Sequence, residues 1–144
     1  MIKNIAFLFV LCFSFSTVQA QTADAVLGKW LNPSGEGQVM IYKQGERYHG
    51  KLVWIKEPND EKGHPKLDIK NPTEKLRSRP ILGLGILKDF MYEDGKWTNG
   101  SIYDPKTGKT YSCNLTLKEN GQLNIRGYIG ISIIGRSEVW RKVK

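Results

Sequence analysis

The sequence predicts an all-β chain folded as one antiparallel barrel of about eight strands. Three observations carry that expectation. Residues 96–128 alternate apolar and polar side chains in three consecutive runs, the period of half-buried strands. The breaks between those runs have hairpin chemistry, first Asp104-Pro105-Lys106-Thr107-Gly108 and then Glu119-Asn120-Gly121. Shorter alternating runs separated by Gly, Pro and Asn bring the strand count to about eight, the number that closes a small barrel. Its interior is then either filled by side chains or able to hold one small ligand.

The chain opens on Met1-Ile2-Lys3-Asn4, continues with an apolar run over 5–15, and reaches Val18-Gln19-Ala20, a small-x-small cleavage signal. That is the pattern of a secretory signal peptide over 1–20, with an apolar run too short for a membrane-spanning helix of about 20 residues. Bulky Leu11 before Cys12 argues against lipoprotein processing. The expected mature chain is one barrel domain over 21–144, exported to the periplasm or secreted. Loss of Cys12 leaves Cys113 alone, so no internal disulfide is possible. Cys113 shares a strand face with Leu115 and Leu117 and reads as a small buried hydrophobe rather than a reactive thiol. The full chain carries a net charge of +8. Such an excess suits contact with anionic headgroups, acidic glycans or carboxylate ligands, or is a solvated surface, since the Lys and Arg residues are scattered. Export argues against nucleic acid as a partner.

In chain order, 21–26 reads as a tether and Gly28-Lys29-Trp30 as the first strand. The Asn32-Pro33-Ser34-Gly35 turn leads to a strand over 36–43 through Val39 and Ile41. A longer strand over 47–57 puts Tyr48, Gly50, Leu52 and Trp54 on one side, with His49, Lys51, Val53 and Ile55 on the other. Residues 58–80 form the longest stretch without strand rhythm, and loops of that length usually carry function or are disordered. Within it, Asn71 as N-cap, Pro72 at the first helical position and Glu74 behind predict one or two helical turns over 72–77, lying across a barrel end. Strand character returns at 81–87 with Ile81-Leu82-Gly83-Leu84-Gly85-Ile86-Leu87, and Glu93-Asp94-Gly95 turns into the three-strand run. Residues 136–143, with Val139 and Trp140, form the last strand. No repeat or second domain is present.

Gly28-x-Trp30, Tyr48-x-Gly50-Lys51, Asp68-x-x-Asn71-Pro72, Arg79-Pro80-Ile81-Leu82-Gly83, Trp97-x-x-Gly100-x-Ile102-Tyr103-Asp104-Pro105, Gly108-Lys109-x-Tyr111 and Arg126-Gly127-Tyr128-x-Gly130, with Gly135-Arg136 and Trp140, occur in this order. Together they resemble the exported bacterial proteins grouped as domain of unknown function 2147. The resemblance covers nearly all of the mature chain and implies a barrel similar to the lipocalins and other small calycin-type folds. It implies no activity and no catalytic residues. Gly28-x-Trp30 also resembles the lipocalin entrance motif, in which a late basic residue, here Arg141 or Arg136, covers the tryptophan; its other reading is an ordinary buried aromatic.

No convincing catalytic constellation stands out. A hydroxyl or thiol nucleophile needs a base, and the chain has only His49, on a strand, and His64, on a loop. Asp60, Glu61, His64 and Asp68 crowd one loop, yet Lys62, Lys66 and Lys70 interleave with them, so a solvated loop is favoured over a cation site. Asp68 and Asp104 are read as acceptors of local backbone N–H bonds rather than an acid-base pair. The expectation is therefore a non-enzymatic monomer with no cofactor and no metal. Trp30, Trp54, Trp97, Tyr103 and Tyr111 would bound an interior for a small apolar or amphiphilic ligand. Arg77, Arg79, Arg126 and Arg136 would stand near the mouth to grip an anionic head, or lay their stems on apolar surface. The alternative is a cell-envelope protein contacting lipid or a protein partner through its basic surface and the Gly/Ile segment 129–134.

Overall fold

The computed structural model describes residues 22–128 and 135–144. The signal-peptide expectation over 1–20 and the Gly/Ile segment 129–134 lie outside the described residues. Eight strands form among them: β1 (Gly28–Leu31), β2 (Gly37–Gln44), β3 (Arg47–Ile55), β4 (Gly85–Glu93), β5 (Lys96–Asp104), β6 (Lys109–Leu117), β7 (Leu123–Tyr128) and β8 (Gly135–Lys142). Each pairs antiparallel with the next, and β8 pairs with β1 to close the barrel. Closure removes the unpaired edges that an open sheet of this size would expose.

One end is sealed from within the sequence. The residues read as a tether form a 3₁₀ turn, Ala23–Val26, whose Val26 is fully buried. Trp30 Nε1 donates to the Val26 carbonyl at 2.8 Å and Trp97 Nε1 to the Ala23 carbonyl at 3.0 Å. The Tyr48 hydroxyl donates to Asp24 Oδ1 at 2.6 Å, and burial followed by this carboxylate raises its pKa. The two indoles thus satisfy their N–H groups on the plug that covers them, as buried tryptophans require.

Above this plug the interior is solid. Phe90 lies against Gly100 so closely that a Cβ at Gly100 would sit 2.4 Å from the ring. A Cβ at Gly50 would come within 2.9 Å of both Leu87 and Val39. Each large apolar side chain buried in this layer stabilises the fold by about 1.5–3 kcal/mol. The glycines let the aromatic residues cross the centre at native packing density.

Two expectations about the wall are corrected. Strand β4 begins at Gly85 rather than 81, because Gly83 takes φ 92° and turns the chain. There the Gly83 N–H donates to the Leu52 carbonyl at 2.7 Å. The helical turn is shorter than expected, Glu74–Leu76, with the Asn71 carboxamide oxygen accepting from the Thr73 N–H at 2.8 Å. It lies over the outside of the barrel rather than across an end. Tyr103, the outward neighbour of inward Ile102 on β5, reaches up to Asp68 in the loop, its hydroxyl donating at 2.5 Å.

Candidate functional site: the barrel mouth opposite the plug

Residues directly opposite in antiparallel strands point to the same face. Leu123 faces Trp140 and Ile125 faces Glu138 across β7 and β8, and Gly127 faces Arg136. Leu123, Ile125 and Trp140 belong to the buried core. The row therefore points inward, and Arg136 and Glu138 are interior-facing charges at the end opposite the plug. The same row continues through Cys113, opposite Gly127, and through Tyr111, opposite Ile102.

The charges are held by each other and by the floor. Arg136 Nη2 lies 3.1 Å from Glu138 Oε1, while Glu138 Oε2 accepts from Trp140 Nε1 at 3.1 Å. The side chain of Glu138 is 31% exposed and that of Arg136 85%. An ion pair taken fully out of water would suffer several kcal/mol of desolvation per ion, so the interior row carries charge only where water still reaches it. Below the pair, Cys113 is buried, and burial with the nearby Glu138 charge pushes its thiol up to about 12. It stays protonated at neutral pH and packs as a hydrophobe.

Around the pair, Ile102, Tyr111 and Gly127 are half-buried. A Cβ at Gly127 would meet Ile102 Cγ2 and Tyr111 Cβ at 3.6 Å, ordinary contact with nothing displaced. The mouth thus offers an apolar wall of Ile102 and Tyr111 beside Gly127, and a guanidinium with most of its donors toward water. Such a site can seat the apolar part of a small molecule and hydrogen-bond an anionic head.

Of the residues singled out from the sequence, only Tyr111 and Arg136 stand at this mouth. Trp30 and Trp97 are interior but form the sealed end. Trp54 is 41% exposed on the outer wall. Gln38 pairs with Trp54 but Val39 with Leu52, so the extra residue Val53 bulges β3 and turns Trp54 outward. Tyr103 is buried on the outside of β5 beneath the long loop. Arg77 Nε donates to the Asn71 carbonyl at 2.7 Å, and Arg79 Nη2 pairs with Asp68 at 3.1 Å, so both arginines fasten the loop. Arg126 faces outward and reaches Ser137 Oγ at 3.2 Å, on the side of the sheet away from Arg136.

Glu138 was missed by sequence reasoning. It lies two residues before inward Trp140, so strand alternation alone would have placed it inside. The residue over Trp30 is likewise Lys142 rather than Arg141 or Arg136. Its Nζ sits 4.7 Å from the indole centroid and donates to the Leu27 carbonyl, and burial lowers its pKa. Arg141 has the wrong parity, and Arg136 is at the other end. Asp104 accepts from the Lys106 N–H at 2.9 Å in the Pro105 turn, as expected. Asp68 instead binds side chains, those of Tyr103, Asn71 and Arg79. His49 Nδ1 accepts from the Asp89 N–H, and His64 is on the loop beside Asp60. Among the described residues no three His, Cys, Asp or Glu side chains converge.

The family model described as "Uncharacterized protein conserved in bacteria (DUF2147)" matches residues 28–142. Among solved structures, protein HP1028 from the human pathogen Helicobacter pylori, described as belonging to the lipocalin family, is similar with a TM-score of 0.69 at 21% identity, covering 82% of each chain. No curated protein matches the chain. The chain belongs to the DUF2147 family of bacterial proteins, and its barrel has a lipocalin-like fold.

Proposed function

We propose that this chain is an exported, non-catalytic barrel that binds a small amphiphilic molecule at its mouth opposite the plug. The apolar part rests on Ile102 and Tyr111 beside Gly127, and an anionic head meets Arg136. The observation that carries this reading is the change along one interior row, from buried Leu123 and Trp140 to half-buried Glu138 and exposed Arg136. A solid floor below limits the ligand to the mouth, and the lipocalin-like fold supports binding as the class of function. The protonated Cys113 thiol and two histidines on the outer face and the loop support a non-catalytic role.

Titration calorimetry with decanoate tests the site. The Gly127→Leu side chain reaches beyond its Cβ over Ile102 and Tyr111, where the apolar part would rest, and lowers affinity at least tenfold, while Gly127→Ala, whose Cβ meets both at 3.6 Å in ordinary contact, stays folded and still binds. Affinity unchanged by both Gly127→Leu and Arg136→Gln would overturn the reading.

A second reading, contact with anionic envelope lipid, is favoured by the exposure of Trp54, Leu67, Ile69 and Leu82 at the end of β3 and on the long loop. The exposed Lys51, Lys56 and Lys70 lie among them in the sequence. Loss of sedimentation with phosphatidylglycerol vesicles in Ile69→Glu would support it; no sedimentation of the unaltered protein would remove it.

A further inference from the structure

Outside the barrel, between the long loop and the wall of β4, β5 and β6, lies a groove of about 210 Å³. Its wall is a polar grid set by register: Lys88 stands opposite Ser101, and Tyr103 opposite Thr110. Its roof is Pro72 and Leu76 from the loop. Its base is built from buried polar groups, Tyr103 at 8% and Asn71 at 5% exposure. Both donate to Asp68, which is itself fully buried and also takes Arg79 Nε and Nη2 at 3.1 Å.

That network balances its own charge. The Asp68 carboxylate is neutralised by Arg79, which leaves Lys88 as an exposed cation with no ion-pair partner among the described residues. The Ser101 hydroxyl stands opposite it on β5, and Thr110 lines the same groove from β6. Gly85 leaves the approach to Lys88 open, since even a Cβ there would stop 4.0 Å from the Lys88 Cε. One uncompensated ammonium, two hydroxyls and an apolar roof over a rigid base match a single negative charge attached to a short apolar body. An ammonium serves such an anion as a compact point charge with three donors.

We propose that this exterior groove is a second binding site, for a small organic monoanion of the carboxylate class, with the carboxylate at Lys88 and Ser101 and the hydrocarbon under Pro72 and Leu76. It stands independently of the mouth, on the opposite side of the wall. Its volume corresponds to roughly seven waters at ~30 Å³ each, so it suits a short chain rather than a long lipid tail.

Hexanoate titrated into the mature protein, followed by calorimetry and by amide chemical shifts of β4 and β5, tests this. The expected result is saturable binding that falls at least tenfold in Lys88→Gln, a substitution of an exposed side chain that keeps the fold, and is unchanged in Gly127→Leu. Hexanol, with the same chain and no charge, should bind at least tenfold more weakly than hexanoate. Hexanoate affinity that survives Lys88→Gln would overturn the proposal, as would loss in Gly127→Leu, which would assign the binding to the mouth. Inorganic phosphate binding as tightly as hexanoate would also overturn it, by showing that the apolar roof takes no part.

Discussion

Replacing Gly100 by alanine asks the tightest point of the interior to hold one more carbon. The new Cβ would stand 2.4 Å from three atoms of the Phe90 ring, far inside the contact distance of about 3.5–4.0 Å between carbons. Phe90 is 1% exposed and enclosed by the barrel, so the ring has nowhere to swing. Overpacking of this kind costs about 1–3 kcal/mol. At roughly 4 °C per kcal/mol for a domain of this size, the melting temperature falls by about 4–12 °C in a calorimetric or circular-dichroism scan. The partner substitution makes the reasoning specific. Phe90→Leu alone leaves a void and destabilises by cavity formation, but in the Gly100→Ala background the smaller side chain vacates the volume the new methyl needs. The double variant should therefore be more stable than the two single losses added together, by about 1 kcal/mol or more of coupling. Strict additivity, or a Gly100→Ala protein as stable as the original, would refute the view that the middle of the barrel is packed solid.

Two further predictions follow from buried groups. Tyr103→Phe leaves Asp68 Oδ1 without its donor and should destabilise the protein by about 1–3 kcal/mol at neutral pH in urea unfolding. Burial and then Asp68 raise the folded pKa of Tyr103 from 10.0 to about 12, so its contribution is complete below pH 10 and is lost as pH rises toward 12. The urea midpoint should decline across that window, and Tyr103→Phe should decline less steeply. Cys113, raised from 9.0 to about 12, should form thiolate roughly a thousandfold less than an ordinary thiol at neutral pH. It should therefore react with Ellman's reagent only after unfolding; prompt labelling of the native protein would contradict its burial.

The three-strand run was legible because its punctuation is local. Asp104-Pro105 and Asn120-Gly121 end strands by their own chemistry, and β5 stops at Asp104 and β6 at Leu117, just ahead of the second turn. The beginning of β4 was not, since 81–84 is as apolar as a strand, and only the positive φ of Gly83 shows that it turns. Trp54 was misplaced by a single bulged residue, Val53, which no local pattern announces and which reverses the parity of everything after it. The plug at 23–26 was read as a tether because what holds it, Tyr48 and Trp97, lies 24 and 74 residues away. The same distance effect hid the Tyr103–Asp68 contact, 35 residues apart, and with it the true roles of Arg77 and Arg79. At the mouth, by contrast, alternation from Trp140 carries enough information to place Glu138 and Arg136 inside and Lys142 over Trp30. Applying that parity to β8 would have found the ion pair without a structure.

The central claim is that the mouth beside Arg136 and Glu138 holds a small amphiphile. Native mass spectrometry of the chain purified gently from the cells that make it, alongside the Gly127→Leu variant prepared in the same way, tests it most directly. The account predicts a discrete added mass on the unaltered chain, released on denaturation and absent or much reduced in the variant. A bare protein mass that also fails to take up decanoate, or an adduct held equally by both proteins, would contradict it.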